Sequence, residues 1–122
     1  MSPSAVLRSA AVLGASGLVG GCLLERLLAD PGYASVLALT RRRLPREHTK
    51  LRQHIVNFDR PKDLGEALRV HDVFCCLGTT AAKAGSRAAF YKVDFSTVVQ
   101  AAQAARGAGA DQFLLVSSIG AA

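Results

Sequence analysis

Between Ala10 and Gly21 the chain reads AAVLGASGLVGG, a short apolar run that stops at a glycine and gives way to a helix-favouring segment. The glycines at 14, 17 and 20 carry the clearest chemical signal, because a backbone that wraps a pyrophosphate needs three things. It needs a tight turn, which Gly14 permits. It needs a point where no Cβ separates main chain from phosphate, which Gly17 supplies. It also needs helix and strand close together, which Gly20 allows one turn further on. The N–H groups of the helix start and the positive end of its dipole then face the anion. The spacing is G-x-x-G-x-x-G rather than G-x-G-x-x-G, so a glycine-rich turn with no ligand is the competing reading of this stretch alone.

The elements that must position such a turn follow from the pattern of apolar residues. Val6–Leu13 reads as the first strand. Leu18–Ala29 is the first helix, with Leu18, Cys22, Leu23, Leu24, Leu27 and Leu28 as its apolar face and Asp30-Pro31-Gly32 as its stop. Ser35–Thr40 is a nearly continuous apolar run, the mark of a strand buried on both faces. His54–Asn57 is a third strand, Pro61–Leu68 a short helix and Asp72–Leu77 the fourth strand. A small-residue loop, Ala81–Ser86, leads to a helical stretch from Arg87 to Ala108, in which Phe95, Val98, Val99 and Ala102 define one face. Gln112–Val116 is the fifth strand. Strands alternating with helices predict a single α/β domain over 1–122 with a parallel sheet and right-handed crossovers.

In such sheets ligands bind beyond the carboxyl ends of the strands. Those ends hold Gly14–Gly17, Thr40–Arg43, Asn57–Asp59, Gly78–Thr80 and Ser117-Ser118, all small, polar or cationic, whereas the strand bodies are apolar. The end of the second strand discriminates between cofactors. An NAD site places an acid there for the ribose hydroxyls; this chain has Thr40-Arg41-Arg42. A guanidinium matches a 2′-phosphate in a planar, bidentate way. The alternative is a solvated basic loop, and Arg43 is assigned to it.

Composition sets the outer limits. The chain has 122 residues, half of them hydrophobic, enough for a real core and too apolar for disorder. Its net charge of +6 is concentrated in Arg41, Arg42, Arg43, Arg46, Lys50 and Arg52 against Glu47, so it calls for a local explanation. Nucleic acid is not the expected partner, since no aromatic residues interleave with these cations. No apolar run is long enough to span a bilayer and the first residues lack a signal-peptide layout, so a soluble cytoplasmic protein without membrane contact is expected. The three cysteines form neither a disulfide framework nor a metal spacing, and the three histidines are scattered, so no metal is expected.

VLGASGLVGG, the TRR after the second strand, HDVFCCLGTT followed by KAG, and FLLVSSIGA together resemble the atypical short-chain dehydrogenase/reductases. Within them the similarity is to the Tat-interacting-protein-like oxidoreductases that bind NADP, and it covers essentially the whole chain. The resemblance implies a Rossmann-like, doubly wound parallel sheet of strand order 3-2-1-4-5. It also implies that Gly14, Ala15, Ser16, Gly17, Leu18 and Val19 hold the pyrophosphate and that Arg41 and Arg42 hold the 2′-phosphate of NADP. Leu77, Gly78 and Thr79 would then lie near the ribose and nicotinamide. Ser118, with Ser117 as alternate, corresponds to the serine that orients a substrate carbonyl.

The sequence departs from the family at three places. The catalytic Tyr-x-x-x-Lys pair is not present in these 122 residues, because Tyr33 and Tyr91 are followed four positions on by Leu37 and Phe95. Asp94 stands where extended members often have Asn, and Asn57 where near relatives tend to have Asp. The chain therefore reads as the cofactor-binding N-terminal part, truncated after the fifth strand, of a longer reductase acting on an unidentified carbonyl or alcohol. A non-catalytic NADPH-binding regulatory or interaction module is the alternative. An exposed fifth strand would invite self-association.

Overall fold

A computed structural model of the chain describes residues 7–56, 64, 65, 67–76 and 97–115. Within them the elements run β1 (Arg8–Leu13), α1 (Leu18–Ala29), β2 (Tyr33–Thr40), β3 (Leu51–Ile55), β4 (Asp72–Cys75), α2 (Thr97–Ala108) and β5 (Gln112–Leu115). The strands form one sheet of order β3-β2-β1-β4-β5, and every neighbouring pair is parallel, as the sequence predicts.

The alternation along β1 explains why the sheet is covered on both sides. Ala10 and Val12 face one way and join Ala15, Leu24, Leu27, Leu28, Val36 and Ala38 in the cluster under α1. Ala11 and Leu13 face the other way and join Leu39, Val56, Leu64, Leu68, Val73, Ala101 and Ala105 in the cluster under α2. A central parallel strand has no wet face, so from Ala10 to Leu13 the sequence is apolar at every position rather than at alternate ones.

Three expectations are corrected. The third strand runs over Leu51–Ile55, not His54–Asn57, because Leu51 pairs with Val36 and extends the ladder back into what reads as basic loop. Arg52 thereby becomes a strand residue opposite Leu37. Leu18 and Cys22 lie outside the buried face of α1: Leu18 is 86% exposed, and the face consists of Gly20, Leu24, Leu27 and Leu28. On α2 the buried residues are Ala101 and Ala105, with Ala104 and Ala108 packed beside them, whereas Val99 is exposed. Alanine lets a helix lie close on a sheet, so the phase of the stripe follows the smallest side chains rather than the most apolar ones.

None of the three cysteines is in a disulfide; Cys75 is buried on β4, and burial pushes the Cys76 thiol above its usual range. None of the helices in the described residues is long and apolar enough to cross a membrane, and those residues contain no metal-binding cluster.

Candidate dinucleotide site

Register brings the site together. Leu13 pairs with Leu39 on one side and with Cys75 on the other, so the chain leaves β1, β2 and β4 along one edge of the sheet. At that edge Gly14 has φ of +83°, a left-handed conformation that any side chain would strain. The Gly14 carbonyl accepts a hydrogen bond from the N–H of Gly17 at 3.1 Å, and the N–H of Gly21 donates to Gly17 at 2.8 Å to close the first turn of α1.

Each glycine of the triplet has a separate geometric reason. A β-carbon on Gly20 would lie 2.1 Å from the Gly14 carbonyl oxygen, backbone that cannot move aside. A β-carbon on Gly17 would have the same oxygen at 3.5 Å and otherwise point into open space. Gly17 is the N-cap of α1 in extended conformation, and no side chain caps the helix. The N–H groups of the first turn, which have no partner inside a helix, therefore open onto a surface formed by Ser16, Gly17, Leu18 and Val19, all exposed. Ala15 is buried beneath them. An uncapped helix start beneath a glycine turn, with a leucine left in solvent, fits a bound pyrophosphate.

The end of β2 is equally shaped. Thr40 is buried, and its hydroxyl donates to the carbonyl of Arg42, bending the chain as it leaves the sheet. Arg41, Arg42 and Arg43 are exposed at this turn. Two further cations of the basic run help hold the loop in place. Arg46 makes a two-pronged pair with Glu25 of α1, at 2.8 and 3.0 Å, which holds the Glu25 carboxyl below and the Arg46 guanidinium above their usual ranges. Lys50 donates to the carbonyl of Asp30 just beyond α1, at 2.9 Å. Part of the charge of this run is thus tied to α1 and to Asp30 just beyond it. Leu77, Gly78, Thr79, Ser117, Ser118, Asn57 and Asp94 lie outside the described residues.

Sequence reasoning missed a polar network at the opposite edge of the sheet. Arg8 grips buried Asp72 through two nitrogens, at 2.9 and 2.7 Å, while the Tyr33 hydroxyl donates to the same carboxylate at 2.7 Å. Arg8 also reaches Asp111 at 3.3 Å. The hydrogen bond from Arg8, then that from Tyr33, holds the Asp72 carboxyl below its ordinary range against the opposing effect of burial. Tyr33 is pushed up to about 12, by burial first and then by its bond to Asp72. Beside it, the backbone N–H of Ser9 donates to His71 Nδ1 at 3.0 Å. The available signal was positional: Arg8, Tyr33 and Asp72 each open a strand, and neighbouring parallel strands bring their first residues together.

Comparison with known proteins agrees with this geometry. The family model described as NAD(P)H-binding matches residues 14–122. Protein HTATIP2 of Rattus norvegicus is 38% identical over 118 residues, covering 93% of this chain and 48% of its own length. Protein FMP52, mitochondrial, of Saccharomyces cerevisiae is 37% identical over 122 residues, covering 90% of this chain and 49% of its own. The chain thus spans about half the length of the curated relatives it matches. A uronate dehydrogenase mutant from Agrobacterium tumefaciens complexed with NAD superposes with a TM-score of 0.77 at 16% identity, over 93% of this chain and 42% of that one. An oxidoreductase from Lactococcus lactis gives 0.75 at 23% identity, over 91% and 48%.

Proposed function

The chain belongs to the NAD(P)H-binding family, and from that premise we propose that it is the NADP(H)-binding domain of an oxidoreductase of the short-chain dehydrogenase/reductase type. The observation that carries the reading is the Gly14–Gly20 contact, which leaves an uncapped helix start open beside the end of β2. In this reading Gly14, Ala15, Ser16, Gly17, Leu18 and Val19 cradle the pyrophosphate. Arg41 and Arg42 take the 2′-phosphate, Leu77, Gly78 and Thr79 border the ribose and nicotinamide, and Ser118 orients the substrate carbonyl. The bound nucleotide supplies a hydride to, or accepts one from, a carbonyl/alcohol couple. The chain's own work is to bind and orient: backbone N–H groups fix the diphosphate, and the arginines select the phosphorylated ribose.

Titration with NADPH and NADH tests cofactor choice without a substrate. Hydride transfer by the full-length protein separates a reductase from a non-catalytic NADPH-binding module. A cytoplasmic location is part of the proposal, and since the FMP52 relatives are designated mitochondrial, cell fractionation decides between the compartments. The proposal also includes self-association through β5. Among the described strands β5 pairs only with β4, and its Leu114 and Leu115 are exposed.

A further inference from the structure

We infer that Gln53 is a positioning residue for cofactor discrimination: it clamps the segment that carries Arg41 and Arg42 against the sheet. The inference rests on the reading of those arginines as the 2′-phosphate ligands.

Gln53 is the central residue of β3, opposite Ala38 of β2, so its backbone is part of the parallel ladder. Both ends of its amide are used on the loop. The N–H of Leu44 donates to Gln53 Oε1 at 2.7 Å, and Gln53 Nε2 donates to the carbonyls of Leu44 and Arg46, each at 3.1 Å. At the other end of the segment the Thr40 hydroxyl donates to the carbonyl of Arg42. The chain between Thr40 and Arg46 is therefore fastened at both ends, and Arg41 and Arg42 sit at its start. Leu44 adds an apolar anchor by packing against the cluster under α1.

Only an amide does this work. The clamp needs one acceptor for the Leu44 N–H and donors for two carbonyls, and a glutamine supplies both. A carboxylate in its place keeps the acceptor and turns lone pairs toward both carbonyls. The clamp matters because a guanidinium recognises phosphate through a planar, directional pair of hydrogen bonds. An arginine on a loose loop must be ordered when the nucleotide binds, and ordering it beforehand removes that cost. The Glu25–Arg46 pair is a second tether, but both partners are solvent-exposed, and exposed pairs contribute little.

The experiment is titration of the chain with NADPH and with NADH, alongside thermal melts, for wild type, Gln53→Leu, Gln53→Glu, Glu25→Gln and Arg41→Ala/Arg42→Ala. The inference expects Gln53→Leu to lower NADPH affinity by roughly five- to tenfold, the scale of one or two lost hydrogen bonds, with NADH affinity unchanged. Gln53→Glu, which keeps the length of the side chain, loses NADPH affinity in the same direction and serves if the leucine variant does not fold. Glu25→Gln stays close to wild type. A wild-type NADPH preference that the double arginine variant loses and both Gln53 variants keep overturns the role of Gln53 alone. Equal affinities of wild type for the two nucleotides overturn the arginine reading, and this inference with it.

Discussion

Gly20 and Gly14 touch so closely that a β-carbon on Gly20 would stand 2.1 Å from the Gly14 carbonyl oxygen, although the whole glycine loop and the helix start separate them in sequence. That contact fixes the distance between α1 and β1, and with it the direction of the helix start.

The first prediction separates the two roles within the triplet. Gly20→Ala drives a methyl group into backbone and is expected to destabilise the fold by about 1–3 kcal/mol, the usual scale of overpacking. Gly17→Val meets no such obstacle, because Gly17 has φ of −80° and open space at its Cβ position. The valine variant is expected to fold and to lose dinucleotide binding, since its side chain occupies the phosphate position. Melting curves and NADPH titration of both variants check this. A folded Gly17→Val with wild-type affinity would place the phosphates elsewhere.

Under the proposed reading, Arg41 and Arg42 set the cofactor preference. A charge-assisted hydrogen bond contributes about 1.5–3 kcal/mol, so one well-placed arginine favours NADPH over NADH by roughly tenfold to a hundredfold. Arg41→Ala/Arg42→Ala is expected to weaken NADPH binding and spare NADH. Raising the salt concentration erodes the preference, because the guanidinium groups are exposed and screened. Affinities at low and high salt measure both effects.

The network at the other edge predicts how stability varies with pH. Asp72 has its carboxyl held below the ordinary value by Arg8 and Tyr33. Its contribution is therefore fully present above the unfolded carboxylate value, about 3.9, and is lost as pH falls through the lower folded value. Tyr33 is raised to about 12, so its contribution is present below the unfolded tyrosine value, about 10, and is lost as pH rises toward 12. Melting temperature measured across pH is expected to fall at both extremes. Asp72→Asn flattens the acid limb, and Tyr33→Phe costs about 1.5–3 kcal/mol near neutrality, the worth of a hydrogen bond to a charged acceptor.

Self-association is tested by sedimentation over a range of concentrations. Among the described strands β5 is an edge, with Leu114 39% and Leu115 54% exposed, and an edge of that kind favours pairing with another chain. A dimer that grows with concentration and is weakened in Leu115→Lys is the expected result. A chain that stays monomeric at high concentration removes β5 as the contact.

The local code was legible in the amino-acid order. The apolar run of β1, the glycine turn and the span of α1 can be read directly, because backbone conformation and two-sided burial act through residues close in sequence, whereas the strand order came from the family resemblance. The cationic end of β2 was legible for the same reason. What only the tertiary structure decided was which of many similar residues meet. Arg46 and Lys50 look like Arg41 and Arg42 in a list of charges, but the fold sets them against Glu25 and the Asp30 carbonyl. Gln53 reads as one polar residue of a basic loop until β2 pulls Leu51–Ile55 into the sheet and turns its amide onto Leu44. Arg8, Tyr33 and Asp72 are 25 and 39 residues apart along the chain, and the parallel register makes them one cluster. The physical reason is common to all of these. Backbone preference is set within a few residues, whereas the partner of a polar side chain is chosen by how strands align across the sheet.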